Sequence, residues 1–197
     1  LVEVDRSGLV AEYIGHTERK TQTAINRAIG GVLFVDEAYA LASRGDNDFG
    51  QEAIEVILKN MEDHREDLLV IVAGYPDKMK QFLHSNPGLE SRFKTIIHFD
   101  DYTGPELLEI FCSFCEKGDY ILTPQAREYA CSYFDQMYAR RGPNFGNARD
   151  VRNFFEYVQD AKAQREFTLP PEACNDEITP EDVLAAVTKM TEASLDR

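Results

Sequence analysis

Long apolar runs are missing from this chain. None approaches the roughly 20 residues that a membrane-spanning helix needs, so no partner in a membrane is expected. The opening LVEVDRSGLV has neither a basic flank nor a cleavage-site pattern, and we expect no secretory leader there. It begins on Leu1 rather than Met, which we read as the mark of a trimmed or truncated product. Positive charge is scarce: 21 Lys and Arg face 35 Asp and Glu, a net charge of −14. Such a surface repels polyphosphate backbones, so nucleic acid is not the expected main partner, although a local basic pocket for a small phosphate ligand stays open. Cysteine is scarce too, with four in 197 residues. Cys112 and Cys115 have C-x-x-C spacing, but no second such pair and no His pair comes after them. The surrounding ELLEIFCSFCEKG has helical periodicity, so packing on a helix face is expected in place of zinc or redox chemistry. A reduced, cytoplasmic protein fits this usage. There is no internal repeat and no low-complexity segment.

What is present is ample core material, 43% hydrophobic and 11% aromatic, enough for one large domain or two small ones. Leu1 to Asp5 alternates as a strand does, and Ser7 is a candidate cap for the segment after it. Residues 17–29 suit an amphipathic helix stopped by Gly30-Gly31. Val32 to Val35 is apolar throughout, the pattern of a strand buried on both faces, and LLVIVA at 68–73 predicts a second. Ile96 to Phe99 predicts a third. Between them lie a polar loop at 43–48 and a helical face at Ala53, Ile54, Ile57, Leu58 and Met61. Strands alternating with helices predict an α/β parallel sheet. After residue 100 the character changes. Thr103-Gly104-Pro105, Thr123-Pro124 and Thr179-Pro180 each resemble a helix start, and helices are predicted near 104–116, 124–140, 147–166 and 180–190. We therefore expect an α/β unit at 1–100 and a small all-α unit at 101–197.

The stretch GGVLFVDEA, residues 30–38, runs four apolar residues into two carboxylates, Asp36 and Glu37. Two acids at a strand end are either simply solvated or placed to meet a cation where ligands gather, at the carboxyl ends of strands. The pattern is that of a Walker B motif, in which the first acid, Asp36, holds Mg²⁺ through water and the second, Glu37, polarises the water that attacks the γ-phosphate of ATP.

Other segments extend the likeness. Glu12-Tyr13-Ile14-Gly15-His16-Thr17 resembles the aromatic–hydrophobic–Gly pore loop of AAA+ unfoldases, although Tyr13 and Ile14 also suit a hydrophobic staple onto the next helix. SNPGLESRF resembles the segment carrying an arginine finger, with Arg92 at the finger position; an ion pair with Glu90 or another acid is the alternative. Phe145-Gly146-Asn147-Ala148-Arg149 resembles a sensor 2 motif, with Arg149 reaching the γ-phosphate, Arg152 a weaker candidate, and a plain helix-surface Arg the alternative. Tyr75 stands near the sensor 1 position, or Tyr75-Pro76 is a turn.

YIGHT, GGVLFVDEAYAL, FGQEAIEVILKNMED, VAGYPDKM, SNPGLESRF and the Asn-Ala-Arg lid helix together resemble CbbX-type Rubisco activases and stage V sporulation protein K. That resemblance implies a P-loop NTPase fold with an all-α lid, binding of ATP and Mg²⁺, a homo-oligomeric (hexameric) ring, and a protein client gripped by Tyr13, Ile14 and Gly15. One departure is large: no G-x-x-x-x-G-K-[ST] occurs, and with it the backbone nest and Lys that hold phosphates are missing. We expect a fragment lacking the first strand, the P-loop and the first helix of the ATPase core, inactive on its own. The alternative is a non-catalytic scaffold or interaction module derived from an AAA+ domain.

Overall fold

The computed structural model describes residues 1–13, 15–42, 49–142 and 145–195. The chain divides into two compact units, Leu1–Ile97 and His98–Arg197.

In the first unit three parallel strands, β1 (Val2–Val4), β2 (Gly31–Val35) and β3 (Leu68–Val72), pair in the order β1-β2-β3. The register sets Val4 beside Val35 and Leu33 beside Val70. Asp5 caps a single-turn helix, α1 (Arg6–Leu9), by accepting from the Gly8 N–H at 3.0 Å. The expected cap, Ser7, instead donates to that same carboxylate at 2.6 Å. These bonds to the ionised form hold the Asp5 carboxyl below its ordinary pKa.

Helix α2 (Thr17–Ala28) buries Thr17, Thr21, Ala24, Ile25 and Ala28, spaced along one helical stripe. It ends where Gly30 takes φ +79°, a conformation that suits glycine after a helix. Helix α3 (Gly50–Asp63) buries Ala53, Ile54, Ile57 and Leu58. Gln22 of α2 and Asn60 of α3 join them by reciprocal amide bonds at 2.9 and 3.0 Å. Two short helices, α4 (Pro76–His84) and α5 (Pro87–Arg92), contribute Phe82 and Leu89 to the same core.

Because neighbours in register share a face, Leu33, Val35, Leu68 and Val70 form the covered side of this sheet. The other side carries Leu69, 58% exposed, and Ile71, 41% exposed. The expectation of a fully buried second strand therefore fails on one face, which no described element covers. Nor do residues 96–99 form a strand; they are irregular, with Ile96, Ile97 and Phe99 exposed. Among the described residues β3 has no second neighbour for such a segment to reach. The predicted polar loop at 43–48 lies outside the described residues.

The second unit packs α6 (Gly104–Lys117), α7 (Pro124–Ala139), α8 (Ala148–Phe167) and α9 (Pro180–Leu195) around Phe111, Phe134 and Phe154, all fully buried. The three predicted Thr starts are real. Thr103 N–H and Oγ both donate to Glu106, Thr123 Oγ accepts from the Ala126 N–H, and Thr179 N–H and Oγ both donate to Asp182. Asp182 is buried and also takes both bonds of the Arg165 fork, at 2.9 and 3.0 Å. The unit is not purely helical: β4 (Ile121–Leu122) and β5 (Glu177–Ile178) pair in parallel. The C-x-x-C pair sits on α6. Burial pushes the Cys115 thiol up to about 12, and Arg127 donates to the Cys112 sulfur at 2.9 Å. A thiol so raised is not a thiolate near neutrality.

Phe154 stacks against Tyr133 at 4.8 Å between ring centroids and meets Phe111 and Phe134 at 5.3 Å each. Phe154→Ala is expected to destabilise the second unit by about 3–5 kcal/mol, leaving a cavity that α6 to α9 cannot close. Urea denaturation followed by circular dichroism measures this, and a loss below about 1 kcal/mol would contradict the packing.

Candidate functional site

The carboxyl end of β2 is laced to both neighbours. The Asp36 N–H donates to Val4 O at 2.8 Å, on the β1 side. The Ala38 N–H donates to Ala73 O at 3.0 Å, on the β3 side. In a regular strand the N–H groups of residues two apart point the same way, so these two bonds force the chain to rotate between them. Glu37 takes the rotation, with φ +48°. Its N–H donates to Asp36 Oδ1 at 2.9 Å. That bond occupies one oxygen of Asp36 and turns Glu37 outward, and both side chains are exposed.

Behind the acids comes a 3₁₀ turn, Ala38–Ala42, held by Arg6 Nη1 donating to Ala40 O at 2.6 Å. It carries Tyr39, whose hydroxyl is pushed above its usual pKa by burial and by the nearby Glu37 charge. The Tyr39 ring lies 6.4 Å from that of Tyr75, the residue before α4. Lys78 Nζ stands over both rings, 4.6 Å from Tyr39 and 5.4 Å from Tyr75. Gly74 makes the approach possible, since a Cβ there would meet the Tyr39 ring at 2.7 Å. Asp36, Glu37 and Tyr75 thus lie at one sheet end, with Tyr39 and Lys78 as neighbours that sequence reasoning missed. The signal for Tyr39 was its place just past the acid pair. Lys78 gave none.

The remaining sequence-derived residues lie elsewhere. Tyr13 is 70% exposed, in the loop between α1 and α2, and its ring meets His16 edge-on at 6.0 Å. The loop is anchored on either side of it. Ala11 N–H donates to Thr17 Oγ1 at 3.0 Å, Thr21 Oγ1 to Leu9 O at 3.0 Å, and Lys20 Nζ to Ser7 O and Val10 O at 2.6 and 3.0 Å. Gly15 takes φ +77°, and Ile14 lies outside the described residues.

Arg92, the last residue of α5, does not pair with Glu90, which instead faces His84 at 3.1 Å. Its guanidinium reaches Glu62 at 3.4 Å. In the second unit Arg149 is exposed at the start of α8, and its guanidinium has no partner among the described residues. Arg152 lies over the Phe114 ring at 5.7 Å. Among the described residues no group of three or more His, Cys, Asp or Glu is placed to hold a metal by itself. A single carboxylate with one free oxygen still fits Mg²⁺, which binds through one or two carboxylates while keeping waters and phosphate oxygens.

Residues 1–101 match the model of the ATPase family associated with various cellular activities, AAA, and residues 103–193 match that of the AAA lid domain. The chain belongs to the AAA family of ATPases. Protein CbbX of Cereibacter sphaeroides is 47% identical over 170 residues, which cover 85% of this chain and 54% of that protein. The chloroplastic ribulose bisphosphate carboxylase/oxygenase activase of Cyanidioschyzon merolae is 45% identical over 172 residues, covering 86% and 58%. Stage V sporulation protein K of Bacillus subtilis is 43% identical over 166 residues, covering 84% and 52%. The chain thus spans little more than half the length of these AAA relatives. The Thermotoga maritima RuvB Holliday junction branch migration motor shares the fold, with a TM-score of 0.60 over 97% of this chain and 52% of that one at 19% identity. No helix among the described residues is long and apolar enough to cross a membrane.

The left-handed backbone at Glu37 generates a stability prediction. Glu37→Gly removes an exposed side chain and suits φ +48° better, so the unfolding free energy is expected to stay level or rise by up to about 1 kcal/mol. Denaturant titration reads this, and a clear loss of stability would mean that the Glu37 side chain supports the fold.

Proposed function

We propose that the protein containing this chain is a ring-forming ATPase that couples ATP hydrolysis to remodelling of a protein client, in the manner its Rubisco activase and sporulation relatives suggest. The single observation that carries this reading is the fixed, outward-facing acid pair at the end of the central strand β2. Asp36 would hold Mg²⁺ through water, and the ion would neutralise charge on the phosphates of ATP. Glu37 orients and polarises the attacking water. Tyr75 supplies a sensor hydroxyl; its ring lies 6.4 Å from that of Tyr39, two residues past Glu37, which supports this.

Arg92 serves a neighbouring subunit. Its ion pair with Glu62 is solvent-exposed, and such pairs contribute about 0–1 kcal/mol, so a triphosphate across a subunit interface competes for the guanidinium at small cost. An arginine acting in trans requires head-to-tail interfaces, and these close into a ring, a hexamer by family resemblance. Tyr13, Ile14 and Gly15 form the client-gripping loop; the anchoring of its flanks and the exposure of Tyr13 support this. Arg149 reports the nucleotide to the lid.

In this reading the phosphate-binding loop comes from a βα unit that these 197 residues do not contain. The unpaired edge of β3, the bare Leu69 and Ile71, and the exposed Ile96 and Ile97 all support a place for another strand. Without that unit the 197-residue chain is expected to bind ATP only weakly, and calorimetric titration showing micromolar affinity would contradict this.

In the full-length protein Glu37→Gln should retain ATP while turnover falls by about 10² to 10⁴. Undiminished hydrolysis would remove Glu37 from its role. Tyr13→Ala should leave hydrolysis intact and abolish client remodelling; an equal loss of both would place Tyr13 in the fold instead of on the client.

A further inference from the structure

The backbone of Asn147 stands at φ +56°, ψ −129°, a region that favours glycine, yet the residue is Asn. It is the N-cap of α8, and Asn side chains at such positions usually accept a hydrogen bond from the first turn. This one does not. The first turn is closed by other groups: Arg149 N–H donates to Gly146 O at 3.0 Å, and Gly146 N–H donates to Asp150 Oδ2 at 2.8 Å. Both ends of the Asn147 amide are turned instead to the chain entering the second unit. Nδ2 donates to Asp101 Oδ1 at 3.0 Å, and Oδ1 accepts from the Tyr102 N–H at 3.2 Å. Arg141, just past the end of α7, holds the same Asp101 carboxylate with Nε at 3.7 Å. The entering segment, the end of α7 and the start of α8 therefore meet at Asp101. Asn147, which makes the α8 side of that junction, stands two residues before Arg149, whose guanidinium has no partner among the described residues.

We propose that Asn147 is the positioning residue for Arg149. Its amide bolts the first turn of α8 to the entering segment and so fixes the rotation of the helix about its axis, which sets where the Arg149 side chain points. The strained backbone is the geometry that lets one side chain leave the helix cap and reach that segment. This rests on the reading of Arg149 as the nucleotide-sensing arginine of the lid.

Asn147→Gly separates the two properties of the residue, since glycine accepts the backbone angles and cannot make the bridge. The experiment measures thermal unfolding and the KM and kcat for ATP in the full-length protein, comparing wild type, Asn147→Gly, Arg149→Ala and the double variant. Asn147→Gly should unfold at or above the wild-type temperature and raise KM about three- to tenfold, the scale of one or two lost hydrogen bonds. In the Arg149→Ala background it should add nothing, because both changes remove one interaction. An unchanged KM in Asn147→Gly, or the same increase appearing on top of Arg149→Ala, overturns the assignment. If wild type turns ATP over and Arg149→Ala matches it, the sensing role of Arg149 fails, and the role of Asn147 fails with it. If Arg149→Ala is impaired and Asn147→Gly is not, only the role of Asn147 is lost.

Discussion

Two backbone bonds that point in opposite directions govern the candidate site. Asp36 is tied to β1 and Ala38 to β3, each by its own N–H. No extended conformation of Glu37 satisfies both, and burying either group unpaired would be unfavourable by about 1–3 kcal/mol. The chain therefore leaves the strand at Glu37 with a positive φ, and the two carboxylates come to rest exposed, side by side, at the middle of the sheet end. Position and orientation of the acids follow from pairing on both sides of β2. The Asp36 carboxylate reinforces the turn by accepting from the Glu37 N–H, so the acid assigned to the metal also fixes the acid assigned to water. Everything else near the site is arranged around that exit: the 3₁₀ turn behind it, Tyr39 against Tyr75, and Gly74 leaving room for the ring.

The same sheet explains why the first unit is lopsided. Register places Leu33, Val35, Leu68 and Val70 under α2 and α3, and it necessarily turns Leu69 and Ile71 the other way. A strand with apolar residues on both faces belongs inside a two-sided sheet. β3 has that sequence and only one covered face. Exposed β-branched and leucine side chains beside an unpaired edge are an association hazard, which natural sheets avoid by pairing or covering. Among the described residues the edge of β3 is unpaired and one face is bare, so the sheet is open there to a further strand and a further layer.

Periodicity and punctuation carried most of the fold. The stripe in α2 with its Gly30 stop and the Thr starts of α6, α7 and α9 were legible because each rests on interactions within a few residues. Local chemistry failed where the partner is remote. Residues 96–99 have the composition of a strand, but a strand exists only when paired. Ser7 looked like a cap until Asp5, two residues earlier, took the Gly8 N–H. β4 and β5 are two residues each and lie more than fifty apart in sequence, so no window of periodicity sees them. At the site, Asp36 and Glu37 were legible from the apolar run before them, whereas Lys78 reaches Tyr39 only through the fold.

The arginines show how contacts sort residues that sequence alone leaves equal. Arg92, Arg149, Arg152 and Arg165 all lie on helices in a chain short of positive charge. Arg165 forks onto a buried carboxylate that also caps α9, and removing Arg165 would leave the buried Asp182 charge without its cation. Arg152 lies over Phe114, its charge directed at a ring. Arg165 is thereby committed to the fold, whereas Arg152 is exposed and only leans on the ring. Arg92 is held only by an exposed pair with Glu62, and the Arg149 guanidinium is bound by nothing among the described residues. A phosphate ligand must draw its cations from those the fold has left weakly engaged, because taking one from a buried network would forfeit more than the new contact returns. Arg92 and Arg149 meet this condition, one in each unit; exposed arginines outside the motifs, such as Arg19 and Arg27, meet it too, so the motif is what singles the pair out.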